Sequence, residues 1–427
     1  MNLLELDNLL ISRASNPRRV VITGIGAITP LGSGKLGLWQ GVLSGQSAVR
    51  RIDRFNTDGY RSQVAAQVDD FDPLDHLPAQ RARRLDRYSQ FAIAAAQQAI
   101  LDSGLCLSSR ESEVTGVYMG SALGGLSFAE EQHAAFVTGN LRAVNPILAL
   151  TVFGSAASCN IAMEMGLHGQ NQTNANSCAS GAVAIGEAYR LIKSGGADVM
   201  LAGGAEAPLA PLVFGAFDII RAMSSNSNAE PQSASRPFDA MRDGFVMAEG
   251  SAVLVLEGYE HAQARGADIY AEIIGYATTT DAYHMTAPRP DGAQAARAMR
   301  EALAHAHLQP HDIDYISAHG SSTPLNDKTE TLAIKQVFGE DAYKVGISST
   351  KAMHGHALGA TGAIELAISC LAMQNDYLPP TLNLHHPDNE CDLDYIPHAG
   401  RPLRVSTILS NSFGFGGINA SLILGRV

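Results

Sequence analysis

The sequence predicts an α/β layered fold, and three observations favour it. Apolar, β-branched runs such as RVVITGIGA (19–27) and ADVMLAGGAE (197–206) alternate with segments of helical spacing. Many of the 41 glycines stand at the ends of these runs, as is typical of tight turns and close backbone approaches. With 427 residues, 46% hydrophobic and only 17% charged, the chain can bury a large core. Alternating elements of this kind form strands covered by helices.

The predicted elements follow one another from residue 19 to the second half of the chain. Strands are predicted at 19–27, 114–120, 197–206, 252–257, 271–278 and 315–318. Helices are predicted at 36–43, 86–103, 179–193, 293–307 and 329–338. A further apolar helix is predicted from His356 to Met373, much as the helix after Cys178 reaches Lys193. This parallel leaves open whether the two halves are a diverged duplication.

Charge and cysteine usage exclude several classes of protein. The net charge of −12, from 30 Lys and Arg against 42 Asp and Glu, argues against a nucleic-acid binder. The five cysteines are scattered without CxxC spacing, so neither a zinc site nor a disulfide framework is indicated, and a reducing cytoplasm is the expected compartment. Residues 1–17 contain Glu5 and Asp7 and make a poor secretory signal; a short helical extension is expected instead. No apolar run is long enough for a membrane span.

Cys178, in ANSCASGAVAIGEAYRLI, is the candidate nucleophile. The turn-forming pair Asn176-Ser177 precedes it and a run of good helix formers follows. At a helix N-terminus, unpaired N–H groups and the positive end of the helix dipole favour thiolate over thiol. The alternative, a small buried apolar side chain, is the commoner role of a cysteine, so the neighbouring residues must decide.

Two histidines are candidates for the same site. His319 directly follows the predicted strand at 315–318, in ISAHGSSTP, and His356 lies in KAMHGHALGATGAIE at the junction of a small-residue loop and a helix. Sites collect at strand ends and in such loops. One cysteine and two histidines suit acyl transfer followed by carbanion chemistry. The alternative for each histidine is a hydrogen-bonded loop residue, because sequence spacing does not place either beside Cys178.

Two further segments carry candidate residues. Glu365 falls in an otherwise apolar stretch and would require a cationic partner, for which Lys351 is the natural candidate; a purely structural ion pair is the alternative. The segment SNSFGFGGINAS (410–421) surrounds Phe413 and Phe415 with glycine. This composition suits either a mobile loop that approaches a substrate closely or an ordinary tight turn between strands.

Across residues 19–427 the sequence resembles the elongating β-ketoacyl-acyl carrier protein synthases of type II systems, members of the thiolase superfamily. The motifs that carry the resemblance are NSCASG (176–181) and the segments 235–257, 281–288, 318–330, 349–365 and 411–417. The resemblance implies a thiolase-like, duplicated five-layer αβαβα sandwich that works as a dimer. We therefore expect an N-terminal extension at 1–18, a half carrying the nucleophile at 19–267 and a half carrying both histidines at 268–427.

The same resemblance implies roles for individual residues. Cys178 would carry the acyl group, while His319 and His356 would promote decarboxylation of a malonyl unit and stabilise the enolate. Lys351 and Glu365 would set the electrostatics of the site. The implied roles of the remaining residues are an oxyanion hole from the backbone N–H groups of Cys178 and Phe415, a gate formed by Phe415, and contacts of Ser321 and Thr323 with the pantetheine arm.

The implied reaction joins an acyl group on Cys178 to malonyl-acyl carrier protein, giving 3-oxoacyl-acyl carrier protein and CO2. It needs no metal and no cofactor beyond the phosphopantetheine on which the substrates are carried. Carrier proteins of this family are acidic, so a local basic patch is expected despite the net negative charge. The candidate contacts are Arg81, Arg83, Arg84, Arg87, Arg142 and Arg221.

Two alternatives remain at this point, and two related families fit less well. Segments 60–73, 86–100 and 211–224 are also similar to the ketosynthase subunits of type II polyketide systems, which pair with a chain-length factor. Such a factor typically lacks the nucleophile, so Cys178 indicates the catalytic subunit of any such pair. A non-enzymatic, length-setting subunit is the weaker alternative. Initiating synthases have Asn where His356 stands, and degradative thiolases have a second cysteine where Phe415 stands, so both fit less well.

The chain departs from the family at a few positions. Ser177 stands where a small alanine often precedes the nucleophile. His354 is an imidazole that the family usually lacks, and we expect it to be a solvent-facing loop residue. Phe128 and Ala129 are candidate substrate-binding residues, since Ala129 stands where a bulkier aliphatic side chain often narrows the acyl tunnel. The smaller side chain predicts room for a long, rigid or polyunsaturated acyl chain.

Overall fold

A mixed sheet of eleven strands forms the centre of the molecule. The structure, a computed structural model, describes residues 18–427, so the predicted helical extension at residues 1–17 lies outside the described residues. The strands are β1 Val20–Thr29, β2 Gly32–Ser33, β3 Val49–Arg51, β4 Val64–Ala66, β5 Thr115–Gly120, β6 Asn171–Asn174, β7 Val199–Glu206, β8 Gly250–Gly258, β9 Ala271–Thr280, β10 Tyr315–Ser317, β11 Gly346–Ser348, β12 Tyr377–Leu378, β13 Arg401–Pro402, β14 Thr407–Gly414 and β15 Ile418–Gly425.

Fourteen helices are described in the same residues. They are α1 Gly34–Ser44, α2 Ala79–Ala82, α3 Arg87–Ser103, α4 Ser109–Val114, α5 Leu126–Gly139, α6 Leu148–Thr151, α7 Ala156–Met165, α8 Ser180–Lys193, α9 Pro211–Ile219, α10 Tyr259–Ala264, α11 Ala293–Ala306, α12 Pro324–Phe338, α13 Lys351–His354 and α14 Thr361–Asn375. None of these helices is both long and apolar enough to cross a bilayer.

The sheet consists of two halves with the same topology. Its order is β11-β10-β14-β15-β9-β1-β8-β7-β5-β6, and β1 meets β9 antiparallel at the junction, with Val20 opposite Ile273. In the first half β6, β5 and β7 are parallel, and β8 and β1 then follow antiparallel. In the second half β11, β10 and β14 are parallel, and β15 and β9 follow antiparallel. The duplication that the sequence left open is therefore visible in the strand order.

Helices cover the two half-sheets in layers. The helices α8 and α14 pack against each other and against strands of both halves, so they form the central layer. On the outside, α3 and α7 cover the first half, and α11 and α12 cover the second. This is the expected five-layer αβαβα arrangement. The predicted border at 267/268 falls between α10 and β9; the exact domain boundaries stay a prediction.

Most predicted elements agree with the structure within a few residues, and two helices begin elsewhere. The helix α12 begins at Pro324 rather than 329, because the hydroxyl of Thr323 accepts the N–H of Asn326 and proline is favoured in the first turn. The helix predicted to begin at His356 begins only at Thr361. Gly355 and Leu358 have φ of 69° and 42°, left-handed values that a continuous helix cannot contain.

Candidate active site

Cys178 lies directly before α8, as the sequence predicts. Residues 177–179 form one short 3-10 turn, and α8 continues from Ser180. Ser177 has a φ of 53°, unusual for a residue with a side chain, and its carbonyl oxygen accepts the hydroxyl of Ser180 at 2.7 Å. The turn places the thiol at the helix N-terminus, with 8% of the residue exposed. The thiol therefore lies at the N-terminal end of α8, a helix of the central layer that packs against α14 of the second half.

Cys178, His319 and His356 all line one cavity of about 320 Å³, here called the Cys178 cavity. The two imidazole rings lie with centroids 5.4 Å apart and planes at 80°. The fold therefore brings together the three residues that the sequence singled out from different segments. Aromatic side chains form much of the remaining wall: Phe217, Phe245, Phe413 and Phe415.

His319 is held through its backbone at the end of β10. Its N–H donates to Glu330 Oε1 at 2.9 Å, and the N–H of Gly320 donates to Glu330 Oε2 at 2.8 Å. Its carbonyl oxygen accepts Lys351 Nζ at 2.5 Å. Burial, the nearby charge of Lys351 and the second imidazole lower the pKa of His319 well below its ordinary value. The ring is therefore neutral at physiological pH.

His356 is held by backbone bonds on both sides and by one side chain. Its N–H donates to the carbonyl oxygen of Val246 at 2.7 Å, and its carbonyl oxygen accepts the N–H of Ala248 at 2.9 Å. Nδ1 is hydrogen-bonded to Oγ1 of Thr361 at 2.9 Å, which leaves Nε2 for a substrate. Burial and the charge of Lys351 lower the pKa of His356 well below its ordinary value, so this ring is neutral as well.

Lys351 and Glu365 form the predicted ion pair beneath the cavity. Lys351 Nζ donates to Glu365 Oε1 at 2.5 Å, and both side chains are 1% exposed. The other oxygen of Glu365 has no hydrogen-bond partner among residues 18–427. Burial raises the pKa of Glu365 to about 7, although Lys351 opposes the shift. Neither side chain lines the Cys178 cavity, so the pair acts through the carbonyl oxygen of His319 and through the charge of Lys351 on Cys178 and both imidazoles.

The glycine-rich segment is the tight hairpin turn between β14 and β15, one of the two predicted alternatives. Its Phe415 ring stacks on Phe217, with centroids 6.4 Å apart and planes at 24°. A Cβ added at Gly414 would stand 3.2 Å from the backbone nitrogen of Cys178, so the hairpin approaches the nucleophile closely. The gating role of Phe415 stays a prediction.

The groups around the Cys178 thiol shift its pKa in opposite directions. Burial raises the pKa of Cys178, while the hydroxyl of Ser177, 3.8 Å from the sulfur, and the backbone N–H of Phe415 lower it. The charge of Lys351 also lowers the pKa, and the carboxylate of Glu206 raises it. Because burial dominates in the free protein, the thiolate that attacks a substrate depends on these few donors.

The predicted substrate contacts separate into two groups. Ser321 and Thr323 line the Cys178 cavity, and their hydroxyl oxygens are 3.0 Å apart. Phe128 and Ala129 lie half-buried on α5, and the structure of the single chain does not bring them to the cavity wall. Their part in acyl binding stays a prediction.

The candidate carrier-protein contacts also differ in their surroundings. Arg221 lines the mouth of the cavity, and Arg83, Arg84 and Arg142 are exposed. Arg81 donates to Asn160 and pairs with Glu164, and Arg87 pairs with the buried Glu249 at 2.9 Å. The charges of Arg81 and Arg87 are thus partly engaged within the chain, and the exposed arginines are the better candidates.

The expectation for His354 was wrong. This residue ends α13 and is fully buried, with Nε2 hydrogen-bonded to Oγ1 of Thr350 at 3.0 Å. None of the described residues offers a partner to its Nδ1. Burial and the charge of Lys351 lower its pKa to about 3. The neighbouring Gly355 has a φ of 69° and lies so close to Ala66 and Ala248 that an added Cβ would stand 3.0 Å from the Cβ of each, so this segment is packed inside the molecule.

Sequence reasoning assigned no role to three buried residues that hold the site. Glu330 fixes the turn at His319, Thr361 orients the ring of His356, and Glu206 bonds to segments from both halves. The signal for Glu330 was weak, because KTE in α12 resembles an ordinary exposed helical turn. Glu206 had a stronger signal, since it ends an apolar strand where a carboxylate requires partners.

Comparison with known proteins gives the family. The family described as "Beta-ketoacyl synthase, N-terminal domain" matches residues 17–262, and "Beta-ketoacyl synthase, C-terminal domain" matches residues 270–385. The "3-oxoacyl-[acyl-carrier-protein] synthase 2" of Synechocystis sp. is 46% identical over 95% of this chain and 97% of its own length. The protein of the same name from Coxiella burnetii is 45% identical over 96% and 99%.

Solved structures give the same fold. A type II polyketide ketosynthase, solved in complex with its acyl-carrier protein, is 39% identical with a TM-score of 0.89, covering 96% of this chain and 100% of that chain. A β-ketoacyl synthase from Burkholderia phymatum is 38% identical with a TM-score of 0.89 and the same coverage. The strand order and the Cys178 cavity thus stand in a fold that these enzymes share, and the chain belongs to the β-ketoacyl synthase family.

Proposed function

We propose that the protein catalyses the decarboxylative Claisen condensation of an acyl group, held as a thioester on Cys178, with malonyl-acyl carrier protein. One observation carries the proposal: a cysteine at a helix N-terminus and two neutral imidazoles line one cavity. The names of the curated relatives, 3-oxoacyl-[acyl-carrier-protein] synthase 2, support the same reaction.

The first step is transfer of the acyl group to the enzyme. The Cys178 thiolate attacks the carbonyl carbon of the acyl-carrier thioester, and the oxyanion forms near the backbone N–H groups of Cys178 and Phe415. Such preorganised donors usually give the largest single contribution in acyl transfer. The tetrahedral intermediate collapses, the pantetheine thiolate leaves and is protonated, and the acyl group remains on Cys178.

The second step is condensation with the malonyl unit. The neutral rings of His319 and His356 donate hydrogen bonds to the thioester oxygen of malonyl-acyl carrier protein as CO2 departs, which stabilises the enolate. The enolate carbon attacks the acyl carbonyl on Cys178, a carbon–carbon bond forms, and the Cys178 thiolate is expelled. The products are 3-oxoacyl-acyl carrier protein and CO2. The chemistry uses no cofactor other than the phosphopantetheine arm, which Ser321 and Thr323 would contact.

Lys351 and Glu365 support this chemistry from beneath the cavity. The ammonium group of Lys351 fixes the carbonyl oxygen of His319, and its charge adds to burial in lowering the pKa of both imidazoles. A neutral imidazole that carries its proton on Nε2 can donate a hydrogen bond to the enolate oxygen. The buried carboxylate of Glu365 balances the lysine charge.

We also propose that the working enzyme is a dimer. A set of large apolar side chains is exposed on the stretch from α5 to α7, and we propose that a second copy of the chain covers it. Its members are Phe136, Val137, Leu141, Leu150, Val152, Phe153 and Met163. It lies beside β6, whose outer edge is unpaired among the described residues. Phe128 and Ala129 are on α5, so their role in acyl binding is a proposal for the dimer; light scattering measures the state directly.

The same comparisons support our proposals for the carrier protein and the pathway. Arg84, Arg142 and Arg221 are the proposed contacts for an acidic acyl carrier protein, and a cytoplasmic location remains our prediction. The curated relatives favour the 3-oxoacyl synthase reaction over a polyketide role. A homodimer therefore fits better than a pair with a chain-length factor, and a non-catalytic subunit would not retain Cys178.

The test follows the acyl group by mass spectrometry. After incubation with an acyl-acyl carrier protein we expect one acyl adduct, on Cys178, and its loss together with a 3-oxoacyl carrier product when malonyl-acyl carrier protein is added. Cys178→Ala should form no adduct, whereas Cys106→Ala, which removes an exposed thiol, should behave like the unmodified protein. An adduct that persists in Cys178→Ala, or condensation by that variant, would refute the proposal.

A further inference from the structure

Glu206 ends β7 and is fully buried beside the Cys178 cavity. Its carboxylate accepts four hydrogen bonds from two distant segments. Oε1 accepts the hydroxyl of Ser121 and the N–H of Leu123, both at 3.0 Å. Oε2 accepts the N–H of Ala122 at 2.7 Å and the N–H of Gly359 at 3.0 Å. One side chain thus joins the loop after β5 in the first half to the turn before α14 in the second.

The turn that Glu206 holds carries residues of the site. Leu358, with a φ of 42°, lines the Cys178 cavity and packs with Cys178 in one apolar cluster. His356 stands three residues before Gly359 on the same turn. A left-handed conformation in a leucine costs free energy and persists only where neighbouring bonds impose it. The bond from Gly359 to Glu206 is the adjacent constraint.

The two segments meet without room for adjustment. A Cβ at Gly359 would stand 2.4 Å from the backbone nitrogen of Ala122 and 2.7 Å from Glu206 Oε2. A Cβ at Gly204 would stand 2.7 Å from the carbonyl oxygen of Gly359, and one at Gly181, in the first turn of α8, 2.9 Å from the same oxygen. The turn at 358–359 therefore packs directly against α8, the helix that begins after Cys178. A shift of the turn would change the position of the cavity wall relative to that helix.

We propose that Glu206 is a positioning residue of the condensation site: its carboxylate clamps the loop at 121–123 to the turn at 358–359 and so sets the distance between Cys178 and His356. The inference rests on the proposed function for its rate measurement. Displacements of about 1 Å at a reacting centre can lower a rate by about 10²-fold, which is the size of effect expected here.

The charge of Glu206 provides a second, separate readout. Burial is the largest cause of the raised pKa of Cys178; the carboxylate of Glu206 raises it further, and Lys351 lowers it. Burial also raises the pKa of Glu206 to about 7, against its four hydrogen bonds, so this carboxyl group is ionised at the alkaline pH where a thiol titrates. The other titratable groups facing the sulfur are His319 and His356, which are neutral. Removing the charge of Glu206 should therefore lower the pKa of the thiol, independently of any effect on geometry.

The experiment compares two substitutions at one position. Glu206→Gln removes the charge and places an NH2 group against N–H donors, so condensation should fall about 10²-fold while the pH midpoint for iodoacetamide alkylation of Cys178 moves lower. Glu206→Asp keeps the charge but is too short to reach both segments. Its condensation rate should fall similarly, with the alkylation midpoint unchanged.

Gly359→Ala attacks the same clamp from the second half and should reproduce the Glu206→Asp result. Rates are expressed per acylated Cys178, an adduct that only folded protein forms, so a loss of folded protein is not counted as a loss of turnover. The matched control is Glu257→Gln, because Glu257 is equally buried but pairs with Arg265 and His261, away from the cavity. Glu257→Gln should leave turnover per acylated Cys178 unchanged.

A structural role alone predicts something different. If Glu206→Gln, Glu206→Asp and Gly359→Ala turn over like the unmodified protein per acylated site, the positioning proposal is overturned. If the unmodified protein does not condense substrates at all, the proposed function fails. The alkylation midpoints of Glu206→Gln and Glu206→Asp still test the charge effect in that case, and equal midpoints would overturn it.

Discussion

The ring of His319 faces the ring of His356 at 5.4 Å between centroids, with the planes at 80°. Two donors in this arrangement can reach one oxygen atom from different directions. The same two rings are buried beside the ammonium group of Lys351, which lies within 2.5 Å of the carbonyl oxygen of His319. The geometry that brings the donors together also keeps both uncharged.

The first prediction concerns the pH dependence of decarboxylation. Burial and Lys351 hold the pKa of both histidines well below the ordinary value. The rate of CO2 release from malonyl-acyl carrier protein should therefore show no change that reflects histidine protonation between about pH 6 and 8. His319→Ala and His356→Ala should each slow the release by about 10²- to 10⁴-fold. A midpoint near the ordinary histidine pKa that persists in Glu365→Gln and in Glu206→Gln, which remove the two carboxyl groups with a pKa of about 7, would show that one ring is protonated and contradict the structure.

The second prediction separates the ring of Phe415 from its backbone. Phe415→Ala keeps the N–H that points at the sulfur of Cys178 but removes the ring stacked on Phe217. Iodoacetamide should therefore alkylate Cys178 in the variant at least as fast as in the unmodified protein. Hydrolysis of the acyl-enzyme should be faster, because less of the cavity is closed to water.

A suitable control is Phe71→Ala, since Phe71 packs against Phe91 outside the Cys178 cavity. Acyl-enzyme lifetimes are read by mass spectrometry in all three proteins. Equal lifetimes in Phe415→Ala and the unmodified protein would argue against a gate.

The sequence alone was sufficient for the α/β class and for the three site residues, for identifiable reasons. Apolar strands and glycine turns are local patterns, and the positions of Cys178, His319 and His356 at element ends are local as well. The approach of the three side chains is not local: it results from the pairing of β1 with β9 and the packing of α8 on α14. Only the family resemblance supplied that expectation.

Where sequence reasoning was wrong, a tertiary contact decided the outcome. We expected His354 at the surface, where imidazoles usually lie. The neighbouring Gly355 instead packs against Ala66 and Ala248 inside the molecule. The helix expected at His356 begins at Thr361 because backbone bonds to Val246 and Ala248 hold His356 in an extended conformation. Neither partner segment could be identified from the residues around position 356.

The third prediction concerns the buried pair of Lys351 and Glu365. Lys351→Met removes the cation that pairs with the carboxyl group of Glu365, which is only 1% exposed. The free energy of unfolding should therefore fall by about 3–5 kcal/mol. Lys351→Met combined with Glu365→Gln removes the unpaired charge and should recover much of that loss. Condensation should stay low in the double variant, because the carbonyl oxygen of His319 still lacks its donor. Urea unfolding and the condensation rate measure the two effects separately.

Recovery of both stability and rate in the double variant would mean that the pair is structural only. The exposed pair of Arg297 and Glu301 is the matched control, because 54% and 46% of the two side chains are accessible. Its removal should change the free energy of unfolding by less than about 1 kcal/mol.

The last prediction assigns part of the acid sensitivity of the fold to His354. Its pKa is lowered to about 3 in the folded chain, whereas an unfolded chain titrates near the ordinary value of about 6.5. The unfolded state therefore binds the extra proton first as the pH falls. Stability should be complete above about pH 6.5 and decline below it by up to about 1.4 kcal/mol per pH unit for this group.

His354→Gln can still bond to Thr350 but does not titrate, so its urea midpoint should fall less steeply with acid. His133→Gln, at an exposed position, should keep the full slope. Identical slopes in His354→Gln and the unmodified protein would place the acid sensitivity in other groups.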